Sequence, residues 1–339
     1  MKLSIIIAYY NAEKYICELL DSLLDQGFSK DEYEIIIVDD ESTHDVSILK
    51  SYRDHYPNIH YVWQKNARQS AARNKGISMA QGEYIYICDN DDRVNRQVLN
   101  RICGLAHNNQ LDILFFNRLL VKENDVLPPP RNDFELRHEI VTGQQYVALH
   151  PDISTGPWHY IVRRNFLIQN HFQFPNGIII CEDVNFLIDI CVKALRVSYL
   201  NVDVYYWVQR PKSISHYEGK KKRTEKFISD MFWYIDEKQK LLLNGSAINP
   251  QFTLWIKGNL NYHAFRILHL AFRFLPLKKS RDYILELQKR NLYPIGEGVY
   301  LQRVKQFPLL RSLMNRRKVW LTCSFLFHLL PRIVRLKVY

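Results

Sequence analysis

The chain predicts an α/β fold: a nucleotide-binding sheet flanked by helices, followed by a helical C-terminal region. Three observations carry that expectation. Short apolar runs alternate with amphipathic helical spacing from Leu3 to Asp89. Each of those runs ends in polar or acidic residues, which is where ligands of open α/β sheets bind. Beyond Gly219, long stretches with helical spacing replace the strand pattern.

The first strand is Leu3-Ser4-Ile5-Ile6-Ile7-Ala8, ending at Tyr9-Tyr10-Asn11. A helix is expected over Ala12–Gln26, where Tyr15, Ile16, Leu19, Leu20, Leu23 and Leu24 share a face. Asn11 is placed to cap its start and Gly27 to stop it. The second strand, Glu34 to Val38, runs into Asp39-Asp40-Glu41-Ser42-Thr43. A helix containing Ala72-Arg73-Asn74-Lys75-Gly76 then leads through Gly82 into the short apolar strand Tyr84–Cys88. Its length and apolar character suit a central strand of a parallel sheet.

That strand opens into Asp89-Asn90-Asp91-Asp92, three carboxylates within four residues. Such crowding is tolerated when water screens it or a cation holds it. Carboxylate oxygens suit Mg²⁺ or Mn²⁺, ions held by one or two acids together with a substrate's phosphates. A solvated acidic turn is the competing explanation. No G-x-x-x-x-G-K-[ST] loop and no G-x-G-x-x-G turn occurs, so a metal and side chains are expected to hold the phosphates in place of a glycine cradle.

From Ser4 to about Ser215 these residues resemble the family-2 glycosyltransferases of the GT-A fold, a Rossmann-like mixed sheet. The resemblance lies in the order of five motifs: Ser4 to Asn11, Val38 to Ser42, Ser70 to Gly76, Asp89 to Asp92, and Cys181-Glu182-Asp183. It implies a hexosyl- or N-acetylhexosaminyltransferase that inverts the anomeric centre. The donor would be a nucleotide diphosphate sugar, UDP-linked by preference, and the acceptor a hydroxyl of a glycan or lipid-linked glycan. By the same resemblance Tyr10 packs on the base with Asn11 beside it, and Asp40 accepts a hydrogen bond from a uracil imide. Arg73 approaches base or phosphates, Asp89 the ribose, and Arg210 or Lys212 the leaving diphosphate. Asp91 leads the metal set, with Asp92 as substitute and His216 completing it. Asp183 is the general base and Glu182 orients the loop or the acceptor.

Simpler roles stand beside these. Tyr10 would serve as a packing residue, Asp40 as a helix cap, Arg73 as the partner of a nearby carboxylate, and Glu182 or Asp183 as acids favoured by a helix N-terminus. Trp158 offers either a plane for a sugar ring or a core ring. Three positions depart from the family pattern: Ala8 where proline is usual, Glu41 where glycine is common, and His44 where Asp is frequent.

The expected division is a catalytic domain over 1–217 and a helical region over 218–339. The catalytic domain comprises a nucleotide-sugar half, 1–125, and an acceptor half, 140–217. Pro128-Pro129-Pro130 marks the loop between the halves. Gly219–Leu243 and Phe252–Phe274 read as long helices. Six cysteines without a C-x-x-C pair suit reduced thiols in a cytosolic protein, and no signal peptide is visible at the start.

The net charge of +11 is unevenly spread: no acidic residue follows Glu297, while Arg303 to Lys337 supply nine basic ones. Interleaved Trp320, Phe325 and Phe327 make 303–339 a basic amphipathic tail. It is expected to lie on the inner face of the cell membrane, with docking on the catalytic domain or dimer contact as alternatives. Two other functions compete. A nucleotidyltransferase would carry a glycine-rich basic signature near the first strand, which Ala8–Lys14 lacks. A nucleic-acid-binding protein would not open its best-formed motif onto three acids, so no nucleic-acid partner is expected.

Overall fold

The computed structural model describes residues 1–123, 125–137, 139–210, 221–244 and 248–297, with Ser312 and Asn315. His216, Lys212 and all but two residues of the 303–339 tail lie outside the described residues. The chain divides into two compact units. One comprises Met1–Tyr146, Ser154–Ile178 and Glu182–His216; the other comprises Val147–Ile153, Ile179–Cys181 and Tyr217–Tyr339.

The first unit is built on a nine-stranded mixed sheet. Its strands are β1 (Leu3–Tyr9), β2 (Tyr33–Asp39), β3 (Ile59–Trp63), β4 (Tyr84–Asp89), β5 (Arg93–Val94), β6 (Ile113–Lys122), β7 (Asn132–Leu136), β8 (Tyr160–Arg163) and β9 (Val197–Gln209). The order is β3-β2-β1-β4-β8-β6-β9-β5, with β7 paired to β9. β3, β2, β1 and β4 are mutually parallel, whereas β8 runs antiparallel to both β4 and β6. The acidic strand β4 is therefore central, as its apolar run implies. It is parallel to its neighbour on one side only.

Helices α1 (Ile16–Leu24), α2 (Ser47–His55), α3 (Arg68–Met79) and α4 (Leu99–Asn108) flank the strands. The isoleucines of β1 and β2 are buried on both faces of the sheet, the pattern of strands covered by helices. Two glycines permit close packing. A Cβ at Gly76 of α3 would meet Ile6 Cγ2 at 2.4 Å, and one at Gly82 would meet the Leu3 backbone carbon at 2.5 Å.

α1 begins at Ile16, four residues later than the periodicity implies at Ala12, because Asn11 does not cap it. Asn11 lies in the left-handed region at φ 49°. Its side-chain oxygen instead accepts the N–H groups of Thr43 and His44 at 2.9 and 3.1 Å, joining the ends of β1 and β2. Gly27 follows the helix at φ 72°, the conformation expected of its stop signal.

The segment after β7 carries helix α5 (Gly143–Leu149), a 3-10 turn (Pro157–His159), strand β8 and helix α6 (Arg164–Gln169). Trp158 belongs to the core: its ring stacks on Tyr205 at 4.9 Å and 3°, and Gly156 abuts its edge. Of its two offered roles, the structure gives it the core one.

The second unit is helical, with α8 (Lys221–Leu243), α9 (Pro250–Phe274) and α10 (Leu277–Lys289). Asn249 caps α9 by accepting the N–H groups of Gln251 and Phe252. Ile228, Met231 and Ile235 of α8, with Phe252, Ile256 and Leu260 of α9, are buried. Arg290 holds Asp236 through two hydrogen bonds of 2.6 and 3.0 Å. Among the described residues no helix is long and apolar enough to cross a membrane, and Cys17, Cys88, Cys103, Cys181 and Cys191 are unbridged.

Candidate active site

The carboxyl ends of β1, β2 and β4 carry the candidate residues, and two buried arginines organise them. Arg73 projects from α3 with only 1% of its side chain exposed. Its Nη1 donates to Asp183 Oδ1 at 2.6 Å and its Nη2 to Asp89 Oδ1 at 2.9 Å, with Glu182 Oε1 at 4.0 Å. One guanidinium thus joins the end of β4 to the start of α7 (Glu182–Lys193), where both acids lie in the first turn. Burial alone would weaken its charge; the Asp183, Asp89 and Glu182 charges more than reverse that effect.

The acids are less enclosed than Arg73, Asp183 keeping 28% of its side chain exposed, yet burial still shifts both. Desolvation raises Asp183 above the usual carboxylate range, Arg73 opposing and Asp89 adding to the rise. Glu182 is raised further, by burial and then by the charge of Asp183. Neighbouring residues set this geometry. Asn74 exchanges two 2.8 Å hydrogen bonds with the backbone of Phe174. The Phe174 ring lies under Arg73, its centroid 5.1 Å away, and stacks on Phe186 of α7 at 4.0 Å. Cys181, just before α7, is left-handed at φ 72°, a strain that tends to gather at functional sites.

Arg210, at the end of β9, is the second organiser. Its Nη1 stands 3.4 Å from Asp91 Oδ2 and 4.0 Å from Asp92 Oδ1, and its guanidinium lies over the Tyr15 ring at 4.0 Å. The two outer acids of the turn differ. Asp92 is buried and accepts from Tyr205 Oη at 2.6 Å and from the Val208 N–H at 2.7 Å. Asp91 keeps 37% of its side chain exposed. Burial raises both, with Asp89 adding to Asp91 and the other two acids adding to Asp92.

Tyr10 is half exposed at the end of β1. Asp40 is buried and caps α3: Oδ1 accepts from Gln64 Nε2 at 2.7 Å and Ala67 N–H at 2.9 Å, and Oδ2 from Arg68 N–H at 2.8 Å. Asp39 accepts the hydroxyl of Tyr61 at 2.6 Å. Glu41 has φ 64°, which gives the glycine common at this position in the resembling family a steric reason.

The structure therefore gathers Asp89, Arg73, Asp183 and Glu182 in one cluster and Asp91, Asp92 and Arg210 in another. Tyr10, Asn11 and Asp40 line the adjoining strand ends. Sequence reasoning missed Tyr205, Asn74, Phe174 and Gln69, whose Nε2 donates to Asp89 at 3.1 Å. The run of three aromatics Tyr205-Tyr206-Trp207 is the signal that could have pointed to Tyr205. Among the described residues no three His, Cys, Asp or Glu side chains are spaced to hold a metal ion by themselves. One exposed carboxylate beside Asp89 nonetheless fits a hard divalent ion whose remaining ligands are phosphate and water oxygens.

A family model described as "Glycosyl transferase family 2" matches residues 4–172, covering β1 to β8 and both ends of the acidic strand. The chain belongs to glycosyl transferase family 2. It is 33% identical over 214 residues to a poly(ribitol-phosphate) beta-glucosyltransferase of Bacillus spizizenii, matching over 62% of this chain and 33% of that protein. The chain thus spans about a third of that relative's length. An uncharacterized glycosyltransferase of Escherichia coli, YibD, is 26% identical, with 86% of each chain matched. Among solved structures, S. aureus TarS 1–349 in complex with UDP-GlcNAc has a TM-score of 0.65 at 23% identity, covering 95% of this chain and 92% of that one. That likeness establishes the GT-A fold of the family-2 chain.

Proposed function

We propose that this family-2 chain moves a sugar from a UDP-sugar to a hydroxyl of a glycan or lipid-linked acceptor, in one displacement that inverts the anomeric carbon. The observation that carries it is the shared guanidinium of Arg73. Through it, the acid expected on the donor ribose, Asp89, and the acid expected to take the acceptor's proton, Asp183, are set in one fixed frame. Such fixed placement of reacting groups is a main source of catalytic rate.

Asp183 accepts the acceptor hydroxyl proton as that oxygen bonds to the anomeric carbon, while the bond from that carbon to the diphosphate breaks. Its raised pKa makes it a stronger base than an exposed aspartate once deprotonated. Glu182 steadies the start of α7 from the buried side. Arg210 offsets charge on the departing diphosphate. Asp91, with Asp89 beside it, would hold the divalent ion, Mn²⁺ or Mg²⁺, which supplies charge neutralisation at the leaving phosphates. Asp92, already committed to Tyr205 and Val208, shapes the turn from behind. Tyr10 offers an exposed ring to the base. Asp40 fixes the start of α3 and retains one acceptor position on Oδ2 for a uracil imide. The UDP-GlcNAc complex of TarS, which shares the fold, supports a uridine donor.

The test is release of free nucleotide from a panel of UDP-, GDP- and dTDP-sugars, with glycan and lipid-linked acceptors and Mn²⁺. Acceptor-dependent release from a UDP-sugar, lost in Asp183→Asn while UDP binding persists, is expected. Release from GDP-sugars alone would rule out the uridine preference, and full turnover in Asp183→Asn would remove Asp183 as base.

A further inference from the structure

We infer that Tyr205 is a positioning residue for the acidic turn, holding both of its ends so that Asp91, with Asp89 beside it, is presented to a metal–diphosphate. This inference rests on the proposed function. β4 and β9 are not neighbours, since β8 and β6 lie between them. The turn crosses that gap: it leaves β4 at Asp89 and returns to the sheet as β5, where Val94 pairs with Tyr205 and Arg93 with Tyr206. At the crossing a single phenol oxygen serves both ends. Tyr205 Oη accepts the Asp89 N–H at 3.2 Å and donates to Asp92 Oδ2 at 2.6 Å.

The residues between are then sorted. Asn90 is drawn towards β1, its Nδ2 donating to the Ala8 carbonyl at 3.1 Å. Asp92 is held again by the Val208 N–H. Asp91 is the remaining acid, and it keeps the exposed carboxylate. The support is rigid. Tyr205 is fully buried, and Trp158 lies flat on its ring at 3°. Behind them, a Cβ on Gly156 would meet the Trp158 ring at 2.4 Å. A phenylalanine would fill the same core position. A buried hydroxyl is costly unless bonded, and here both of its bonds go to the acidic turn. Partners that orient metal-binding groups without touching the metal typically account for about 10- to 100-fold in affinity.

The experiment is a titration of free Mn²⁺ by electron paramagnetic resonance at saturating UDP. It is run on the full chain and on Tyr205→Phe and Gly156→Ala, with UDP affinity in chelator and circular dichroism alongside. Tyr205→Phe is expected to weaken Mn²⁺ binding about tenfold or more, leaving metal-free UDP affinity and the folded spectrum unchanged. Gly156→Ala keeps every hydrogen-bonding group but presses on the stack, and is expected to weaken Mn²⁺ binding by a smaller factor. It decides the matter if Tyr205→Phe does not fold. Mn²⁺ affinity unchanged in every folded variant overturns the role of Tyr205 alone. No UDP-dependent Mn²⁺ binding in the unaltered protein overturns the proposed function, and this inference with it.

Discussion

Arg73 and Asp183 show how one buried ion pair can serve both packing and chemistry. Asp183 must be deprotonated to act, and burial raises its pKa. Activity should therefore be lost, as pH falls, at a pH above the ~3.9 of an ordinary aspartate. A pH profile of kcat/KM checks this; an acidic limb at or below that value would mean Arg73 outweighs burial. Removing Arg73 leaves Asp89, Glu182 and Asp183 facing one another without a cation. Arg73→Ala should therefore lose roughly 3 kcal/mol or more of stability in urea unfolding. Arg73→Lys should recover little of it, because an ammonium cannot span two carboxylates in a fork. At this scale the sequence was informative about identity and silent about partners. Asp89, Asp91 and Asp183 stood out as acids at strand and helix ends. That Arg73 binds two of them depends on contacts 16 and 110 residues apart in the chain, and no local pattern encodes such distances. Asp40 illustrates the same point, since its donors are Gln64 and Ala67 in the loop before α3 and Arg68 at its first residue, so one carboxylate caps a helix that does not adjoin it in sequence.

The strands β1, β2 and β4 were legible because a buried parallel strand must be apolar on both faces, which leaves a run that polar residues bound sharply. α9 was legible from Phe252 to Phe274, but its start two residues earlier, at Pro250 behind the cap Asn249, was not. Strand β8 and the 3-10 turn before it were not, since four residues between Trp158 and a helix carry too little periodicity to declare a strand. The late start of α1 was equally hidden. Asn11 has the chemistry of a cap, but its backbone is left-handed and its side chain is drawn to the loop after β2. Element packing makes a separate prediction at Gly76, where α3 presses on β1 with no room for a methyl group. Gly76→Ala gains helix propensity of about 1 kcal/mol but meets Ile6, and overpacking costs typically 1–3 kcal/mol. A lowered thermal midpoint is expected. A raised midpoint would show that Ile6 yields without strain.

Across the whole molecule, the excess of positive charge and the acidic site lie at different places in the chain. Of the net charge of +11, +9 lies beyond Glu297, while the clustered acids fall at Asp89–Asp92 and Glu182–Asp183. Under the proposed function, that separation would let the tail meet an anionic surface while the site binds a cation and a diphosphate. Deleting the residues after Gln306 should weaken binding to vesicles containing anionic lipid, measured by co-sedimentation at low and physiological salt. Unchanged partition would point to the tail docking on its own chain or on a second copy. Whether the acidic turn grips a metal–diphosphate is read by calorimetric titration of UDP into the protein, with and without Mn²⁺ or Mg²⁺. The metal is expected to strengthen UDP binding, and Asp91→Ala to abolish this gain while leaving the metal-free affinity intact. Equal affinity with and without metal in the unaltered protein, or an undiminished gain in Asp91→Ala, would contradict it.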